Sequence, residues 1–205
     1  MGFLLFNPAP RSVLMIGLGG GALHKYIHKH LPETDLTTVE INPGVIELRQ
    51  DFCIPPDDER SRIVCADGAA FLAKPTHQFD IILVDGFNAA GLPDALCSPG
   101  FYRRVKAALT PQGLMVANVQ ADTAQTREIH KRVGRVFEGA MLSFESDEGG
   151  NDIVLAGQRE AFTQAAQDFD ARWQALPEVH QTTLAATSTR LQRALIKGLR
   201  PLTSP

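Results

Sequence analysis

The run Arg11-Ser-Val-Leu-Met-Ile-Gly-Leu-Gly-Gly-Gly-Ala-Leu-His-Lys-Tyr-Ile constrains this chain more than any other stretch. An apolar strand empties into glycines that open directly onto a helical pattern. Val13, Leu14, Met15 and Ile16 form a continuous apolar run, which suits a strand buried on both faces of a parallel sheet. Gly17, Gly19, Gly20 and Gly21 let the backbone turn tightly and approach a ligand with no Cβ in the way. Leu23, Tyr26 and Ile27 continue at helical spacing, so the loop ends at a helix N-terminus with unpaired N–H groups. The segment reads as a nucleotide-binding turn.

Thr37-Thr-Val-Glu-Ile strengthens that reading, because it closes the next strand with an acid about 20 residues after the glycines, where a carboxylate accepts both ribose hydroxyls. Glu40 is therefore a candidate ligand contact, with Ile41 beside it. Gly17-x-Gly19-x-x-Ala22 also fits the dinucleotide fingerprint, which leaves a nicotinamide cofactor open at this point.

The chain has 205 residues, enough for one well-buried α/β domain and too few for two of comparable size. We expect a nucleoside-binding domain over 1–157 and a helical extension over 158–205, packed on the same domain or on a partner subunit. A net charge of −3 argues against a dedicated nucleic-acid surface, which needs clustered Lys and Arg. The three cysteines, Cys53, Cys65 and Cys97, have no paired spacing. Nothing at the N-terminus resembles a secretory leader, and no apolar run approaches the length of a membrane span, so a reduced, cytoplasmic location is expected. The short apolar Phe3-Leu-Leu-Phe is expected on a sheet edge.

Further along, His24 and His28 lie one helical turn apart, a spacing seen in metal-binding helices. No carboxylate or third imidazole accompanies them, and no metal is expected. Asn42-Pro43 starts a helix expected to run through Val45, Ile46, Leu48 and Phe52. Arg62-Ile-Val-Cys-Ala is a third strand that delivers Asp67-Gly68 at its carboxyl end, where ligands sit in open α/β sheets. Asp67 there could bind an adenine amino group or cap the following helix.

Phe79-Asp-Ile-Ile-Leu-Val-Asp is a fourth strand ending in Asp85, which feeds a loop holding Phe87, Asn88 and Leu92. A helix from about Pro99 to Leu109 follows. Thr110-Pro-Gln-Gly is expected as a turn before the strand Leu114-Met-Val-Ala-Asn-Val, which puts the amides of Asn118 and Gln120 where earlier strands put acids. After a helix marked by Ile129, Val133, Val136 and Phe137, Met141-Leu-Ser-Phe-Glu and Asn151-Asp-Ile-Val-Leu-Ala are joined by Ser-Asp-Glu-Gly-Gly, which is hairpin chemistry. The sheet therefore ends with an antiparallel pair, which favours an adenosyl-sulfonium cofactor over a nicotinamide one. In the tail, Phe162, Ala166, Phe169 and Trp173 share one face, and Leu184, Leu191, Leu195 and Leu199 another. These faces cover the sheet or a partner subunit, a homodimer being the open alternative.

Taken in order, Gly17-Leu-Gly-Gly-Gly, Val39-Glu-Ile-Asn-Pro, Ala66-Asp-Gly, Phe79-Asp-Ile-Ile-Leu-Val-Asp, Phe101 and Asn151-Asp-Ile-Val-Leu-Ala resemble the spermidine synthase-like family from Arg11 to Ala156. The resemblance implies a doubly wound, Rossmann-like α/β fold of the class I methyltransferase type. It implies a transferase that binds S-adenosylmethionine, its decarboxylated form or methylthioadenosine and moves an aminopropyl or methyl group to a small, polyamine-like acceptor. Methylthioadenosine or S-adenosylhomocysteine would be the product. It further implies that Glu40 holds the ribose, that Asp67 and Gly68 meet the adenine, and that Asp85 lies at the reacting centre.

Three positions depart from the family pattern. Aminopropyltransferases carry an Asp in the glycine loop that grips the cofactor's free amine, and here Gly20 stands there. They carry a second Asp after the fourth strand that helps deprotonate the attacking amine, and here Asn88 stands there, able to orient an amine but not to accept its proton. The chain as given also has no counterpart of the family's small N-terminal β-domain. The departures shift the expectation towards a methyltransferase with a non-polyamine substrate, or towards a non-catalytic nucleoside-binding protein. Phe87, Asn88, Leu92 and Gln120 are the candidate acceptor contacts.

Overall fold

The computed structural model describes residues 1–73, 77–87, 91–146 and 149–198. Seven strands form one sheet: β1 (Ser12–Ile16), β2 (Asp35–Glu40), β3 (Ser61–Cys65), β4 (Phe79–Val84), β5 (Leu109–Gln120), β6 (Met141–Glu145) and β7 (Asn151–Ala156). Their spatial order is β3-β2-β1-β4-β5-β7-β6. The pairs among β3, β2, β1, β4 and β5 are parallel, whereas β7 runs antiparallel to both β5 and β6. The terminal hairpin read from the sequence is present, and the order departs from the all-parallel dinucleotide-binding sheet.

Alternation along the central strands divides the interior. Leu14, Ile16, Ile82 and Val84 point to one face of the sheet, and Val13, Met15, Ile81 and Leu83 to the other. Helices α3 (Gly68–Phe71), α4 (Pro99–Ala108) and α5 (Ala124–Val136) cover the first face through Leu72, Phe101, Val105, Ile129 and Val133. Ser98 and Thr123 cap α4 and α5 by accepting the amides of Phe101 and Thr126. The second face is covered by α1 (Ala22–His30), α6 (Arg159–Gln167), α7 (Phe169–Ala175) and α8 (Glu178–Gly198). Phe162, Phe169, Leu184, Leu191 and Leu195 are buried there with Phe3, Leu4 and Leu5. Among the described residues no helix is long and apolar enough to cross a membrane.

Several expectations change. Phe3, Leu4 and Leu5 form a 3-10 turn, Gly2–Leu5, that is buried under α7 and α8 in the apolar cluster on the second face of the sheet. Thr110–Gly113 is not a separate turn, because β5 begins at Leu109. The four residues bow out of the ladder between the pairs Phe79–Leu109 and Ile81–Leu114. Helix α2 (Pro43–Glu47) stops well short of Phe52 and buries no residue; Leu48 and Phe52 are 47% and 45% exposed. The face shared by Phe162 and Trp173 is cut at Asp168, which separates α6 from α7. Leu199 lies outside the described residues.

The loops after β1 and β4 leave the sheet side by side but lead to helices on opposite faces. In an open α/β sheet that divergence creates a crevice beyond the carboxyl ends of the strands.

Candidate active site

The glycine loop is clamped from both sides. Gly17 N–H donates to Val39 O at 2.8 Å, and Asp85 N–H donates to Ile16 O at 2.8 Å. Gly17 has φ +96°, and a Cβ on it would lie 2.3 Å from the Asp85 carbonyl oxygen, so no side chain fits. Gly21 is the N-cap of α1 in a left-handed conformation. Gly20 is different: its φ is ordinary and a Cβ would meet nothing nearer than Phe52 Cδ1 at 3.5 Å.

Glu40 closes β2 and is 8% exposed. Its two oxygens accept from two backbone amides, Oε2 from Leu18 N at 2.9 Å and Oε1 from Asn42 N at 2.8 Å. The first of these ties the acid into the glycine loop. A carboxylate offers about four lone-pair sites. Each oxygen thus keeps one for a further donor, in a position fixed by the backbone.

Asp67 caps α3, its Oδ1 accepting from Ala70 N at 2.8 Å. The capping role weighed from the sequence is therefore real, and it also holds the carboxyl in place at the end of β3. Next to it, a Cβ on Gly68 would come within 2.5 Å of Ile16 Cγ2, which binds α3 closely to β1.

Asp85 follows β4, and its Oδ1 accepts from Asn118 Nδ2 at 2.9 Å. The pairing of Val84 with Ala117 puts these two residues in the next register of neighbouring parallel strands. Asn118 Oδ1 is buried with no hydrogen-bond partner among the described residues, so the amide is oriented through its bond to Asp85. The sequence pattern places the amide at this strand end and gives it no partner.

These elements enclose a crevice of about 760 Å³. Gly17, Gly19, Glu40, Ile41, Asp67, Gly68 and Asp85 line it, together with Asn42, Val45, Phe87, Pro93, Ala95 and Leu96. Gly20 and Gly21 are not part of the lining and shape the loop from behind. Of the acceptor candidates, Phe87 lines the crevice, Leu92 is buried in the core, and Gln120 is exposed elsewhere. Asn88 lies outside the described residues. A volume of this size suits a small-molecule ligand. The site fits a nucleoside in its donor chemistry as well: a buried acid with two spare acceptor sites beside a stretch of backbone that excludes side chains.

The two histidines of α1 have other partners. His24 is 1% exposed and bridges two strands, Nδ1 to Thr38 Oγ1 at 2.9 Å and Nε2 to Ser61 Oγ at 3.3 Å. Burial lowers its pKa to about 4, with the neighbouring His28 adding to the effect. His28 Nε2 lies 2.7 Å from Asp58 Oδ2, a hydrogen bond that holds this acid below its usual range. Among the described residues no group of three or more His, Cys, Asp or Glu is placed to hold a metal.

Solved structures share the architecture. Human methyltransferase-like protein 13 in complex with SAH superposes with a TM-score of 0.67 at 22% identity, covering 98% of this chain and 87% of that one. A spermidine synthase in complex with the transition-state analogue AdoDATO also gives 0.67 at 22%, covering 89% and 72%. In sequence, the polyamine aminopropyltransferase of Neisseria meningitidis serogroup A is 38% identical over 160 residues, which is 77% of this chain and 61% of the relative. The chain thus spans about three fifths of that relative's length. The family description "Spermine/spermidine synthase domain" matches residues 3–144. With that match across most of the sheet and the glycine loop, the chain belongs to the spermine/spermidine synthase family.

Proposed function

We propose that the crevice binds an adenosyl-sulfonium nucleoside and that the protein transfers an aminopropyl or methyl group from it to a small amine acceptor. The observation that carries this reading is Glu40, whose two oxygens are fixed by Leu18 and Asn42 amides at the edge of the same crevice that Asp85 lines. In this reading Glu40 receives both ribose hydroxyls, the left-handed glycines bring backbone close to the nucleoside, and Asp67 and Gly68 flank the base. When bound, the cofactor supplies an electrophilic carbon and a neutral thioether leaving group.

The remaining work falls to the chain. Asp85, held by Asn118, faces the acceptor amine, orients it and takes its proton. Phe87, Pro93, Ala95 and Leu96 form the apolar part of the crevice lining on the side of Asp85. Calorimetry with S-adenosylmethionine, decarboxylated S-adenosylmethionine and methylthioadenosine tests the reading. Binding of at least one is expected, and failure of all three to bind folded protein removes it.

Gly20 favours methyl transfer as the second reading. A Cβ at that position would make only ordinary contact with Phe52, so the backbone there does not require glycine. Without an acid there, nothing in the loop repels the carboxylate of intact S-adenosylmethionine. Tighter binding of the intact than of the decarboxylated compound, with methyl turnover, would establish methylation; the reverse order would establish aminopropyl transfer.

A further inference from the structure

Resting on the nucleoside-binding reading above, we propose that Gln125 and Arg132 of α5 are positioning residues for the nucleoside site, although both stand outside the crevice lining. Their effect passes through the crevice wall. They hold the two ends of segment 92–97, which carries Pro93, Ala95 and Leu96 of the lining.

Gln125 and Arg132 lie seven residues apart, close to two full helical turns, so their side chains leave one face of α5 about 10 Å apart along its axis. Gln125 Nε2 donates to Leu92 O at 2.8 Å, and Arg132 Nη1 donates to Cys97 O at 2.9 Å. Between these anchors the segment is folded on itself. Leu96 N–H donates to Pro93 O and Cys97 N–H to Asp94 O. The buried Cys97 thiol donates to Leu92 O at 3.5 Å, and burial pushes its pKa up to about 11, so it stays protonated near neutral pH. Leu92 O thus meets two side-chain donors, which its two lone pairs can accept.

The segment is wedged between two parts of the site. A Cβ on Gly86 would stand 2.7 Å from Leu96 Cδ1, so Leu96 presses on the backbone that follows Asp85. The turn Asp94–Leu96 also packs against α3, whose first residue, Gly68, is proposed to flank the base. Ile16 lies beneath both places, since a Cβ on Gly68 would meet its Cγ2 at 2.5 Å and one on Gly86 would meet it at 3.8 Å. A drift of segment 92–97 therefore changes the width of the crevice, and the two α5 side chains oppose that drift.

The test measures Kd for methylthioadenosine by calorimetry, together with Tm. Gln125→Met and Arg132→Met keep an unbranched side chain but remove the donor, and each is expected to weaken binding about three- to tenfold. Gln125 is partly exposed in the first turn of α5, so its variant reports on folded protein even where Arg132→Met fails to fold. Arg132→Lys, which keeps a donor, should recover part of the loss. Lys131→Met, at an exposed position beside it, should leave Kd unchanged. Leu96→Ala removes the wedge itself, so Gln125→Met should cost less in that background than alone. Unchanged Kd in Gln125→Met overturns the proposal, as does an equal loss in Lys131→Met or full additivity with Leu96→Ala. A parent protein that binds neither methylthioadenosine nor S-adenosylmethionine, intact or decarboxylated, instead overturns the transferase reading itself.

Discussion

Gly17 and Asp85 meet through their backbones: a Cβ on the glycine would stand 2.3 Å from the carbonyl oxygen of the acid that follows β4. The contact joins the loop proposed to hold the nucleoside to the residue proposed to serve the acceptor. Gly17→Ala must move one or the other, and it also strains a φ of +96°. We expect a loss of about 3 kcal/mol in stability. That corresponds to a fall of about 10 °C in Tm for a chain of this size. Nucleoside binding should fall below detection by calorimetry. Gly20→Ala, whose Cβ would make only ordinary contact with Phe52 at an ordinary φ, should leave Tm and binding almost unchanged.

Glu40→Gln keeps the volume of the side chain but replaces one oxygen with an NH2 group. That group must face either Leu18 N–H or Asn42 N–H, donor against donor. An unsatisfied buried amide costs about 1–3 kcal/mol. The same change removes one ribose acceptor, so affinity for methylthioadenosine should fall by about tenfold to a hundredfold. An unchanged Kd in titration calorimetry would contradict the assigned role of Glu40.

The features legible in the sequence are those set by local chemistry. Glycines between an apolar strand and a helical pattern, acids at strand ends and the glycine-rich hairpin declare themselves within a few residues. Gly17, Gly19, Glu40, Ile41, Asp67, Gly68 and Asp85 accordingly line one crevice. What was not legible depends on distant packing. The Asp85–Asn118 bond requires the register of β4 against β5, which is shifted by the bowed segment Thr110–Gly113. Leu48 and Phe52 carry a helical apolar pattern, yet α2 ends at Glu47 and both side chains stay about half exposed. Phe3 to Leu5 look like edge residues until α7 and α8 are placed over them.

Asp85 and Asn118 should separate chemistry from binding. Asp85→Asn removes the proton acceptor while keeping its shape, and kcat should fall by about 10²–10⁴. Affinity for the nucleoside should change by no more than a few-fold. Asn118→Leu removes the donor that orients Asp85 and should cost about tenfold in kcat, with a Tm near that of the parent. Single-turnover rates beside calorimetric Kd values distinguish these outcomes. If the two variants instead lost nucleoside affinity and kept their rates, Asp85 would belong to the cofactor side of the site.

His24 should make the fold sensitive to acid. Its imidazole is 1% exposed, bonded to Thr38 and Ser61, and its pKa is lowered from 6.5 to about 4, chiefly by burial. The unfolded chain therefore binds this proton at higher pH than the folded one does. Stability from the neutral imidazole is fully present above pH 6.5 and is lost as pH falls towards 4. The shift corresponds to about 3 kcal/mol. Urea unfolding at steps between pH 7 and pH 4 should show this loss in the parent. His24→Gln, which offers the two hydroxyls a donor and an acceptor without titrating, should start less stable at pH 7 and lose less on acidification. Parallel pH profiles for the two proteins would show that some other group carries the acid sensitivity.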